Sequence, residues 1–105
     1  MAEPATAHPF LGKFVIVRCR DAGVHAGTLA AAEGRSCHLT GSRRLWYWKA
    51  AKEAFLSGVA RHGLDQKASK VGGPVDIHLT EDCEIILATD DAAANITGAA
   101  IYEPR

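Results

Sequence analysis

A chain of 105 residues with 48% hydrophobic, 23% charged and 7% aromatic side chains has the composition of one small globular domain. Twelve Lys and Arg balance twelve Asp and Glu at a pI near 7.0, which counts against a polynucleotide partner. No apolar run approaches bilayer length, and the N-terminus lacks the basic and apolar stretches of a secretion signal, so an intracellular protein without membrane contact is expected.

Residues 1–12 (MAEPATAHPFLG) carry two prolines and small side chains and read as an extended N-terminal arm, with 13–105 as a single domain. Phe10 and Leu11 are the natural anchors if that arm lies along a neighbour. Residues 13–20 (KFVIVRCR) form the clearest strand, with Phe14, Ile16 and Arg18 on one face and Val15, Val17 and Cys19 on the other. A turn at Asp21-Ala22-Gly23 leads into a strand over 24–32, and Glu33-Gly34-Arg35 turns into a short third strand over 36–40. A further turn is expected at Gly41-Ser42.

From Trp48 to Arg61 the spacing is helical, with Trp48, Ala51, Phe55, Gly58 and Val59 on one face and the helix ending near His62-Gly63. Residues 65–73 read as an exposed loop. An alternating strand follows over 75–79, with Val75, Ile77 and Leu79 inward. After Glu81-Asp82, the apolar CEIILAT over 83–89 reads as a central strand. One helical turn capped by Thr89 or Asp90 spans 90–96, and 99–103 closes as a short edge strand. The fold class predicted is α+β: a small antiparallel sheet or barrel of five to six strands with one inserted helix.

The chemistry-bearing residues concentrate at GSRRLWYWKAA, residues 41–51, which holds both tryptophans and one of the two tyrosines. A guanidinium offers a fixed fork of donors to phosphate or carboxylate, and aromatic faces stack on bases or on arginine. Arg43, Arg44, Trp46, Tyr47, Trp48 and Lys49 are therefore the candidate ligand or interface residues, with Arg18 nearby. The competing reading has the tryptophans filling the core while the arginines pack over them or pair with carboxylates. In an extended segment Leu45/Tyr47 and Trp46/Trp48 point to opposite sides, so the group cannot all share one face.

Elsewhere no catalytic signature occurs. Cys19, Cys37 and Cys83 are odd in number and widely spaced, as buried free thiols are. No histidine pair has helical zinc spacing; His38 beside Cys37, with His25 across a strand, is a remote metal possibility. A Cys–His nucleophile at Cys37 or Cys83 lacks an orienting third group, and the glycines match no phosphate-cradling pattern. No cofactor or metal is expected.

The opening FVIVR, the AGVHAG of residues 22–27, the LT-x-x-RRLWYW-x-A of 39–50 and the LTEDCEIILAT of 79–89 together resemble an uncharacterised family of small tailed-bacteriophage and prophage proteins. The resemblance runs from about Lys13 to Glu103; the arm is extra, and Ala50-Ala51 departs from a more usual Gly-Ala. Because that family carries no settled activity, the resemblance implies a phage-type origin and little chemistry. The function expected is that of a non-enzymatic, self-associating structural or accessory virion protein (capsid-decorating, cementing or tail-associated), present in the host cytoplasm and the virion. Its partners would be copies of itself and other virion proteins. The alternative is an intracellular protein that sequesters a nucleotide-like host signal in an Arg/aromatic pocket.

Overall fold

The computed structural model describes residues 8–103. Six strands and two helices follow in the order β1 (Phe14–Cys19), β2 (Gly23–Glu33), β3 (Ser36–Tyr47), α1 (Leu56–His62), β4 (Lys70–Val71), β5 (Val75–Leu79), β6 (Asp82–Leu87) and α2 (Asp90–Thr97). All strand pairings are antiparallel, in the order β4-β3-β2-β1-β6, with β5 pairing the other half of β3. The α+β expectation holds, with a second helix added.

The sheet is curled into an open barrel, and the connection between its end strands shows why. Only Thr80 and Glu81 separate β5 from β6, a link that reaches at most about 11 Å at 3.8 Å per Cα step. A flat sheet would hold those strands four spacings, about 19 Å, apart. The bend is made in the β2–β3 hairpin, where the register slips between Ala26 and Thr28 and between Leu29 and Ala31, and where β3 slips against β5 between Leu39 and Ser42. Gly27 and Gly41 sit at these slips. A Cβ on Gly27 would lie 2.9 Å from the Ser42 Cα and 3.0 Å from the Thr40 carbonyl oxygen, and Gly41 takes φ +58°. Folded over, the hairpin tip reaches the start of β6, where the Asp82 N–H donates to the Arg35 carbonyl at 3.0 Å.

Curling buries both faces of β1. Ile16 joins Ala26, Leu45, Val71 and the helical side chains Leu56, Val59, Ala60 and Ile96 in one cluster. Val15, Val17 and Cys19 join Leu29, Cys37, Leu39 and Leu79 in the second, inside the curl. Fully burying each such aliphatic side chain contributes about 1.5–3 kcal/mol. The helices lock together through Asn95, whose Oδ1 accepts from the Leu64 N–H at 2.7 Å and whose Nδ2 donates to the Leu64 carbonyl at 3.2 Å. Thr89 is the α2 cap, its Oγ1 accepting from the Ala92 N–H at 3.1 Å.

Several expectations are corrected. Gly41-Ser42 is no turn: β3 runs on through the bulge to Tyr47. The helix does not begin at Trp48, because residues 49–51 are zipped to 63–65. The Asp65 N–H donates to the Lys49 carbonyl, the Ala51 N–H donates to the Gly63 carbonyl, and Ala50 bridges Leu64. α1 therefore starts only at Leu56, and Phe55 is exposed. The expected 65–73 loop contains a 3-10 turn at Gln66–Ala68 and β4, too short to show any alternation. Val75 is exposed rather than inward. β6 is an edge strand: its apolar run reflects two covered faces, with Ile86 against the first cluster and Ile85 against the second.

The expected closing strand is a single parallel bridge between Ile101 and Val71. Cys19 and Cys37 are buried free thiols as anticipated, but Cys83 is exposed. Of the arm, residues 1–7 lie outside the described residues. Phe10 is half-buried against the chain's own second cluster, while Leu11 is exposed.

Candidate functional site

The arginine–aromatic segment is extended, so neighbouring residues part company. Arg43 and Leu45 turn toward the helices and are buried. The Arg43 guanidinium donates Nε to the Gly72 carbonyl, Nη1 to the Ile96 and Thr97 carbonyls at 3.1 and 3.0 Å, and Nη2 to the Ala99 carbonyl at 2.8 Å. Ile96 and Thr97 end α2, where orphan carbonyls and the negative end of the helix dipole attract a cation. Burial lowers the Arg43 pKa from its ordinary value. Its donors are committed to the chain's own backbone, so Arg43 fastens β3 to α2.

Arg44 is exposed on the opposite side. Its Nη1 donates to the Ala22 carbonyl at 3.0 Å, and the same oxygen accepts from His25 Nε2 at 2.9 Å. His25, paired with Arg44 across β2 and β3, is 1% exposed. Burial lowers its pKa, the bond to Ala22 opposes that, and the Arg44 charge adds to it. The ring is therefore a neutral donor that fixes the β1–β2 turn beneath Arg44. Sequence reasoning placed His25 near His38. Instead, His38 faces His78 on β5, with ring centroids 6.0 Å apart.

Trp46 is 72% and Tyr47 56% exposed, at the end of β3, where pairing with β2 stops at Arg44 and only β4 continues to Tyr47. Trp48 is half-buried against the first core cluster. Two shallow depressions flank this strand end. One, of about 220 Å³, is lined by residues 21–24 and 44–46; the other, of about 430 Å³, by Tyr47, Trp48, Lys49, Ala50, Lys52 and Ala54. Across from Tyr47 in β4, Lys70 places its ammonium 5.1 Å from the Tyr102 ring centre, a cation–π contact. Lys52, Lys70 and Tyr102 were missed from sequence, since only the fold brings them beside Tyr47.

The candidate residues are thus divided. Arg43 serves the fold, Arg44 and Trp46 share the smaller depression, and Tyr47 to Lys49 line the larger one. A pocket that encloses a drug-sized ligand needs about 300–1,000 Å³ with most of the ligand covered, and the Arg44 depression is smaller. What the strand end presents is an exposed aromatic and cationic surface with two open depressions.

The remaining candidates are placed as follows. Burial, then the neighbouring Asp82 carboxylate, pushes the Cys37 thiol up to about 12, so Cys37 stays a thiol near neutral pH and is no nucleophile. One oxygen of that buried carboxylate, Oδ2, has no hydrogen-bond partner. Among the described residues no three His, Cys, Asp or Glu side chains are grouped to hold a metal ion. Arg18 pairs with Glu84 at 2.6 Å across β1 and β6, and its other strand neighbour, Val24, lines the Arg44 depression. No helix among the described residues is long and apolar enough to cross a membrane.

No curated protein and no solved structure matches the chain. A family model does: the domain of unknown function DUF6948 matches residues 12–96, from the turn before β1 into the last turns of α2 and through the whole arginine–aromatic strand. The chain belongs to the DUF6948 family.

Proposed function

We propose that the protein is a non-enzymatic assembly module that docks onto protein through the end of β3. The phage resemblance makes it a self-associating structural or accessory virion protein. The observation that carries this reading is the exposure of Trp46 and Tyr47 at the end of β3, with Lys49 and Lys52 exposed in the segment that follows and Phe55 at 76% exposure. Aromatics of this kind are the anchors of protein interfaces, where truncating one costs about 2 kcal/mol or more.

The alternative, sequestration of a nucleotide-like ligand, rests on the exposed Arg44 guanidinium beside the Trp46 indole. It is the weaker reading, because Arg43 is already committed and the depression is small.

Sedimentation velocity of the Trp46→Ala/Tyr47→Ala variant tests the proposal. The wild-type chain is expected to self-associate, and the variant to do so at least about 30-fold more weakly, with an unchanged melting temperature. Equal association of the two proteins would sink the docking-face reading.

A further inference from the structure

Strand β3 sends its side chains alternately into and out of the curl, and β5 pairs with its first half. Cys37 and Leu39 point inward into the second cluster, so His38 between them points outward. In the β3–β5 register His38 stands directly opposite His78, which is exposed on the same outer face. Directly opposed residues on an antiparallel pair have Cβ atoms about 4.5–5.5 Å apart, within reach of each other's side chains. Here the two imidazole rings lie with centroids 6.0 Å apart and their planes tilted by 45°. The other histidines have different surroundings. His8 and His25 are engaged by the chain's own backbone, and His62 faces Glu53.

We infer that His38 and His78 together clamp a divalent transition-metal ion, of the class of Zn²⁺, Ni²⁺ and Cu²⁺, on the outer face of β3 and β5. An imidazole nitrogen binds zinc at about 2.0–2.1 Å, so two rings that share one tetrahedral ion have centroids about 5 Å apart. The 6.0 Å seen here is wider by about 1 Å, which side-chain rotation at the surface closes without moving either strand.

The donors select the metal. Imidazole suits Zn²⁺, Ni²⁺ and Cu²⁺, whereas Mg²⁺ and Ca²⁺ take oxygen ligands. Cys37, next to His38 in sequence, lies inside the curl and supplies no thiolate. Asp76 shares the outer face with His78, but its Oδ1 accepts from the Gly41 N–H at 3.3 Å. Among the described residues no third such side chain joins the pair, so water fills the remaining positions of the ion. A depression of about 160 Å³ beside His78, lined also by Ala31, Glu33 and Ser36, has room for that water. Because β5 pairs among the described residues with β3 alone, the ion acts as a cross-strand staple on an edge strand. Binding to the folded chain alone then raises its melting temperature.

Calorimetric titration of Ni²⁺ into the untagged full-length chain tests the clamp, with Mg²⁺ as the comparison ion. One Ni²⁺ per chain is expected, with a raised melting temperature, and no binding of Mg²⁺. His38→Ala and His78→Ala are each expected to weaken Ni²⁺ at least about tenfold, since even indirect supports of a metal site cost that much. Circular dichroism verifies that both fold, with His38→Gln as the milder substitute. His62→Ala and Cys83→Ser, which remove the imidazole beside Glu53 and the exposed thiol, are expected to change nothing. Electron paramagnetic resonance of the Cu²⁺-loaded chain is expected to show coupling to two imidazole nitrogens.

Unchanged Ni²⁺ affinity in the His38 and His78 variants overturns the clamp, as does coupling to a single nitrogen. So does a wild-type chain that takes up no Ni²⁺ at concentrations up to about 1 mM, the weak end of measurable affinity. Neither histidine belongs to the aromatic end of β3, so failure of the clamp leaves the docking face standing, and the reverse holds too.

Discussion

Arg43 shows how one side chain can be chosen for the fold while looking, in sequence, chosen for a ligand. Its planar fork satisfies four backbone carbonyls, one at Gly72 and three at the end of α2 and just beyond it, which a lysine ammonium cannot do from one point. Arg43→Ala leaves buried acceptors at the end of α2 without donors, and each such loss costs about 1–3 kcal/mol. The expected result in urea unfolding is a loss of about 3 kcal/mol or more, with Arg43→Lys intermediate. A loss below about 1 kcal/mol would mean that water takes over those carbonyls and that the guanidinium is not what holds α2 to the sheet. The neighbouring Arg44 carries the opposite lesson, since only its exposure separates it from Arg43. A strand places adjacent residues on opposite faces, so RR reads as one motif in sequence and acts as two in space.

Among the elements, the β2–β3 hairpin determines the shape. Its strands approach closely at Gly27, where the nearest atoms to an added Cβ belong to the backbone of β3 and cannot swing away. Gly27→Ala is therefore expected to destabilise by about 1–3 kcal/mol through overcrowding, read as a lowered melting temperature. A neutral or stabilising effect would show that the two strands can part without loss of the curl.

The strands themselves were legible in the sequence: KFVIVRCR, the two strands around the Glu33-Gly34-Arg35 turn and VDIHL have the β-branching and turn residues that local rules recognise. What local rules missed was decided by pairing. Trp48 to Phe55 has helical spacing, yet Lys49 and Ala51 spend their backbone groups on Gly63 and Asp65. Lys70-Val71 becomes a strand only because Leu45 offers it an edge. The apolar run in β6 signals burial on two faces and says nothing of its lateral position.

At the scale of the whole molecule, composition misleads most. A pI near 7 and twelve charges of each sign describe a neutral chain, although residues 34–70 carry a net +6 and residues 71–103 a net −7. The aromatic cluster at 46–48 could be located from sequence. Its division into an exposed pair and a half-buried Trp48 could not, because that depends on where β4 and the helices lie. On the proposed reading, the exposed aromatic strand end is where a small domain gains in assembly the buried area that about a hundred residues cannot supply alone.

The most direct test replaces Trp46 by a photo-crosslinking phenylalanine analogue and irradiates a mixture of isotopically light and heavy chains. The account predicts mixed-isotope crosslinks from position 46 to another copy of the chain. Crosslinks confined to single chains, from a protein that remains folded, would contradict it.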